Sequence, residues 1–154
     1  MGKRFHYQEQ DCPLTLAQGL QEYYDGHAGL FRPEQLSEEF ARFFRSHDTA
    51  HVIFGLDTTL EEEAMADTWT MFASDVGLRR YMRYLRTNPE AKQLIKEIGW
   101  WKTITLSLQM VPKMFAIWLR ARKMTKKWPW EPGADLQTRP LGQIRKELNL
   151  RLLE

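Results

Sequence analysis

A single cysteine, Cys12, occurs in the 154 residues of this chain, so no internal disulfide can form and a reducing compartment is expected. Strand signals and internal repeats are absent, which turns attention to helical folds. No apolar run reaches the ~20 residues that span a bilayer. The best candidate, Thr103 to Leu119, is too short and is interrupted by Gln109, Pro112 and Lys113. No apolar run follows Met1 to His6, so no signal peptide is expected. Gly2 invites myristoylation, but His6 occupies the position that wants Ser or Thr, so no lipid anchor is expected either. Histidine is scarce, with four in the chain, so any clustering among them carries information.

What is present describes one ordinary domain. A hydrophobic share of 43% and a charged share of 27% match a soluble protein, and 154 residues bury a core without staples. A net charge of +2 does not by itself mark a nucleic-acid binder. The expected fold class is all-α: a single compact helical domain, residues 1–154, containing a metal-binding helical hairpin. Residues 1–12 are expected to be loosely ordered. Helices are expected from Leu14 to Tyr24, ended by Gly26 and Gly29; from Glu34, behind Pro33, to Phe54; and from Thr58 to Phe72. Others follow from Val76 to Arg86, from Pro89 through Lys96, and from Trp101 to Lys127 with Pro112 as a kink or break. An extended arm, 128–140, precedes a last amphipathic helix from Leu141 to Leu152.

The segment His47-Asp48-Thr49-Ala50-His51, followed after eleven residues by Glu63, is the most informative in the chain. Residues four apart share one face of a helix, so His47 and His51 point the same way. Gly55 suits a left-handed helix stop, and Thr58 with Glu61 makes a capping box for the next helix. If the two helices form an antiparallel hairpin, His51 and Glu63 lie at one level, roughly 6–8 Å from the turn. His47, Asp48, His51 and Glu63 would then form a mixed nitrogen and oxygen set for a divalent metal, zinc before iron, manganese or magnesium. Asp48 could be a ligand or an acid/base beside the metal. The same spacing also suits an exposed helix face with a dipole-favoured acidic first turn, Glu61-Glu62-Glu63. His6 and His27 fall in no comparable pattern. A metalloprotease is a poor fit, because Asp48 is too short for the water-activating glutamate of HExxH.

Charge is distributed unevenly. No acid occurs between Glu97 and Glu131, while Lys102, Lys113, Arg120, Arg122, Lys123, Lys126 and Lys127 all fall there among aromatic and aliphatic residues. Such a segment can lie in a membrane interface or line a lipid pocket, with Met110, Met114, Ile117 and Trp118 as candidate walls. It can equally be a core helix with a solvated basic end. Without a recognisable binding motif, nucleic acid is not expected as a partner.

The motif resembles the HDxxH–eleven residues–E signature of the coenzyme Q (ubiquinone) biosynthesis protein four family, the Coq4-like proteins. Thr15 to Leu20 with Tyr23-Tyr24 resembles the family's opening helix, and Trp128 to Leu150 its closing stretch, so the likeness runs over most of the chain. Trp100-Trp101 departs from the family pattern. The resemblance implies a metal-dependent carbon–carbon lyase that removes the ring carboxylate from a polyprenylated hydroxybenzoate, with or without hydroxylation at that carbon. It also implies a polyprenylated aromatic or prenyl-phosphate lipid as ligand, other quinone-biosynthesis proteins or a second copy as partners, and a cytoplasmic, peripheral location on the inner face of a bacterial membrane. Two rivals remain. One is a non-catalytic prenyl-lipid-binding or scaffold protein, and the other an HD-type metal phosphohydrolase, for which His27 with Asp67 or Asp75 is a poor match.

Overall fold

The computed structural model describes residues 4–27, 38–87, 96 and 100–153. Among them are seven α-helices and no strand, with only two isolated bridges, Thr15 to Pro140 and Ser74 to Trp128. The fold is all-α and compact, as the sequence leads one to expect. The helices are α1 (Leu16–Gly26), α2 (Glu38–Phe54), α3 (Leu60–Ala73), α4 (Gly77–Thr87), α5 (Trp100–Ala121), α6 (Ala134–Gln137) and α7 (Leu141–Leu148). The expected start of α2 at Glu34 and the expected helix after Pro89 lie outside the described residues, Lys96 excepted.

Local chemistry sets most helix ends. Thr15 caps α1 by accepting the Gln18 N–H at 3.2 Å, while Gln18 Oε1 accepts the Thr15 N–H at 2.9 Å, a reciprocal capping box. At the other end of the hairpin's first helix, Gly55 takes φ +69°, its N–H bonds to Val52 O at 3.3 Å, and Leu56 N–H bonds to His51 O at 2.9 Å. These two bonds form a Schellman motif, which glycine accommodates without steric strain. The cap of α3 falls one residue later than expected: Thr59, paired with Glu62, replaces Thr58 with Glu61. The cause is Asp57, whose Oδ1 accepts the Thr58 N–H at 2.7 Å and so holds Thr58 in the turn.

Helix α3 is the centre of the domain. It buries Met65, Ala66, Trp69 and Ala73 and makes its most extensive contact with α5. Trp69 stacks on Phe54 at 4.8 Å and is fully buried. Of the kink or break expected at Pro112, a break does not occur: α5 runs through it, stopping at Ala121 rather than Lys127. Pro112 sits on the exposed side of α5, where water can serve the carbonyl it leaves without a donor. The arm after α5 is held against the end of α3 by Trp128 N–H to Ala73 O at 2.8 Å and by Trp130 N–H to Asp75 Oδ1 at 2.8 Å. It is not wholly extended, since α6 interrupts it. Helix α7 ends at Leu148 rather than Leu152, because Asn149 adopts the left-handed conformation at φ 52°.

The described part of the expected loose segment, residues 4–12, is packed against the core. Tyr7 and Cys12 are fully buried. Arg145 on α7 is fully buried as well and donates to four carbonyls: Ile53 at 2.9 Å, Tyr7 at 2.6 Å, Val52 at 2.7 Å, and Glu9. Burial without a carboxylate partner pushes its pKa down to about 10. One guanidinium thus ties residues 7–9 to the end of α2.

Candidate metal centre

His47 and His51 project from the last turns of α2, and Glu63 projects from the first turn of α3. One ligand atom from each lies within 4.8 Å of the others. His51 Nε2 is 3.4 Å from Glu63 Oε2, the spacing of neighbouring ligands around a tetrahedral ion at about 2.1 Å. His47 Nε2 is 3.8 Å from the same oxygen. These two histidines and one carboxylate could hold a metal ion.

His51 supplies the strongest sign of fit. Its ring is fully buried, and its Nδ1 lies 3.1 Å from the carbonyl of Asp57. A carbonyl only accepts, so Nδ1 carries the proton and, in the neutral ring, Nε2 presents a bare lone pair. That Nε2 is buried and forms no hydrogen bond; Glu63 Oε2, 3.4 Å away, pairs with it only when the ring is protonated. Of the four such atoms among the described residues, the others being Trp69 Nε1, Thr70 Oγ1 and Trp128 Nε1, the His51 nitrogen is the one that belongs to a cluster of a carboxylate and a second imidazole.

The surroundings organise the other two. Phe43 stacks on the His47 ring at 6.2 Å, and His47 Nε2 lies 3.5 Å from Asp67 Oδ1. Asp67 in turn accepts the Tyr81 hydroxyl. Burial pushes the His47 pKa down, but Asp67, Glu63 and Asp48 more than offset it and hold the ring up at about 9. Burial alone would raise Glu63, yet His51 and His47 draw it below the usual carboxylate range. Asp48, expected in the ligand set, stands outside the trio. It is buried and its Oδ2 accepts the Tyr24 hydroxyl at 2.8 Å. Burial raises its pKa despite the opposing pull of His47 and that hydrogen bond.

Sequence reasoning named Asp67 only for the HD-type rival and did not join it to His47, although Glu63 and Asp67 share one face of α3 just as His47 and His51 share one face of α2. Tyr24 and Asp57 carried no signal of this kind, because their contacts form between elements. His27 is engaged elsewhere, with Nε2 at 2.6 Å from Asp57 Oδ1 and Nδ1 at 2.7 Å from Tyr23 O. Asp75 Oδ1 accepts the Trp130 N–H, and neither His27 nor Asp75 joins the His47, His51 and Glu63 cluster; of the residues named for the HD-type reading only Asp67 lies beside it.

Of the two readings of α5, the core one describes most of the candidate lipid wall. Met110 and Ile117 lie in the hydrophobic core, with Met114 packed against it, so these side chains serve the interior of the domain. Trp118 is half-buried and lies under the Arg122 guanidinium at 4.8 Å. The exposed stripe of α5 is instead Leu108, Val111, Phe115 and Leu119. No helix among the described residues is long and apolar enough to cross a membrane.

Comparison with protein-family models, with curated proteins and with solved structures finds no match to this chain.

Proposed function

We propose that this chain is a divalent-metal-dependent lyase that removes the ring carboxylate from a polyprenylated hydroxybenzoate. The buried Nε2 of His51, which forms no hydrogen bond and is set against Glu63 and His47, carries the metal half of this reading. The substrate half rests on the resemblance of the motif and its flanks to the ubiquinone biosynthesis protein four family. Zinc is the first choice of ion, since nitrogen and carboxylate donors at these spacings suit it.

His47, His51 and Glu63 would hold the ion, leaving a position open to substrate, as catalytic sites do. A bound divalent ion supplies Lewis-acid stabilisation of the negative charge that develops as the carboxylate leaves. The bond between the ring and its carboxyl carbon breaks, the electron pair stays on the ring, carbon dioxide departs, and the ring carbon takes a proton. Asp48 is suited to deliver it: burial raises its pKa, so it holds a proton more readily than an exposed aspartate. Tyr24 orients that carboxyl by donating to Oδ2. Asp67 and Phe43 fix the His47 ring, and the Asp57 carbonyl fixes that of His51.

The exposed stripe of α5 beside Arg120, Arg122 and Lys123 supports a peripheral place at an anionic membrane, where a prenylated substrate resides. The test is complementation of a bacterial host that lacks its own homologue in ubiquinone synthesis. Wild type restores quinone, and Glu63→Gln accumulates a precursor that still bears its ring carboxylate. Full rescue by Glu63→Gln contradicts the catalytic reading and favours a scaffold or lipid-binding role.

A further inference from the structure

A separate concavity opens between α2, α4 and the arm. Its volume is about 160 Å³, and a cavity of about 150 Å³ takes one benzene ring. Four of its eight lining residues are aromatic: Phe43, Tyr81, Tyr84 and Trp130. Phe43 stacks on Tyr84 at 3.9 Å, while Trp130 lies 5.4 Å from Phe43 and 5.9 Å from the buried Tyr81. Arg42 and Arg80 also line it, against a single acid, Glu131. Arg42 is 57% exposed and meets Glu38 only at 3.8 Å across one helical turn, a weak contact for an exposed pair. Arg80 makes no ion pair among the described residues.

We propose that this pocket binds a small aromatic carboxylate, with the ring seated among Phe43, Tyr84 and Trp130 and the carboxylate taken by Arg42 and Arg80. The cavity volume suits a single ring with small substituents. Flat aromatic walls favour a planar ring over a saturated one. Two arginines outweigh Glu131 and exclude a cation, and guanidinium groups match a carboxylate in shape as well as in charge. The pocket shares two side chains with the surroundings of the metal centre: Phe43 packs on His47, and Tyr81 donates to Asp67, which faces His47. Occupancy of the one is therefore placed to be felt at the other. The inference stands apart from the metal reading, since it uses neither His51 nor Glu63.

The test is benzoate binding to the intact chain, followed by ligand-observed NMR in the presence of a chelator. Benzamide serves as the uncharged control and cyclohexanecarboxylate as the saturated one. Benzoate is expected to bind at least tenfold more tightly than either control. The double variant Arg42→Ala/Arg80→Ala is expected to lose at least tenfold. Both side chains are exposed, so an unchanged melting curve accompanies that loss. Benzoate binding that is absent, or undiminished in the double variant, overturns the proposal. Binding that appears only when zinc is added also overturns it, because the ring acid then goes to the metal centre, whose own reading survives. Arginine-dependent benzoate binding by a protein that takes up no zinc supports the pocket and removes the metal reading.

Discussion

Nε2 of His47 lies 3.5 Å from Oδ1 of Asp67, one helix away, and that carboxylate is itself held by the Tyr81 hydroxyl. Against burial, Asp67 together with Glu63 and Asp48 keeps the His47 pKa at about 9 in the metal-free protein, so the ring is protonated at neutral pH. A metal needs the bare nitrogen. Metal binding at pH 7 is therefore expected to release about one proton, and affinity should rise about tenfold per pH unit until it levels off near pH 9. Calorimetry in buffers of different ionisation enthalpy measures the proton count. Asp67→Asn should lower it, and a pH-independent affinity would contradict this account.

The same charge links to stability, with the sign set by a folded value above the unfolded one. The contribution of His47 is present in full below about pH 6.5 and is lost as pH rises towards about 9. Metal-free protein should lose melting temperature across that window. Zinc-loaded protein should not show the His47 part of that loss.

Asp48 and Tyr24 separate catalysis from metal binding. Asp48→Asn keeps the shape of a buried side chain while removing its ability to pass a proton. It should lower turnover about 100-fold or more at unchanged metal content. Tyr24→Phe should have a smaller effect in the same direction, because it removes only the hydroxyl that orients Asp48. Carbon dioxide release and metal content, measured on the same samples, check both.

Arg145 is expected to be the costliest single position outside the site. Lysine has one donor group and cannot serve four carbonyls spread over residues 7–9 and 52–53. Arg145→Lys should cost about 3 kcal/mol or more, and so lower the melting temperature by roughly 6–12 °C. A shift under about 2 °C would show that the four bonds contribute little.

At the membrane, the run from Arg120 to Lys127 should contribute about 1 kcal/mol per basic residue near an anionic surface, falling with salt. Flotation with anionic vesicles at low salt should exceed flotation with neutral ones. Phe115→Glu, on the exposed stripe of α5, should reduce it. Equal flotation with both vesicle types would contradict the peripheral placement.

Much of this architecture was legible because its signals are local. Gly55 at the end of α2, the Thr15 capping box and the four-residue spacing of His47 and His51 each act within a turn or two of helix. What the sequence hid depends on distant partners. Residues 4–12 look unremarkable until Arg145, more than 130 positions away, gathers their carbonyls. Met110 and Ile117 read equally well as pocket wall or core, and only the packing of α5 on α3 decides for core. The shift of the α3 cap from Thr58 to Thr59 came from one aspartate side chain whose rotamer no pattern encodes. Asp67 was within reach, since it follows Glu63 by one helical turn.

The central claim is that His47, His51 and Glu63 hold a divalent metal, and metal content of the purified protein tests it most directly. Wild type, dialysed against zinc and freed of excess, should retain close to one ion per chain by plasma mass spectrometry. His51→Ala should retain almost none, while the double variant His6→Ala/His27→Ala should match wild type. A His51→Ala protein that is folded and carries as much zinc as wild type would contradict the account.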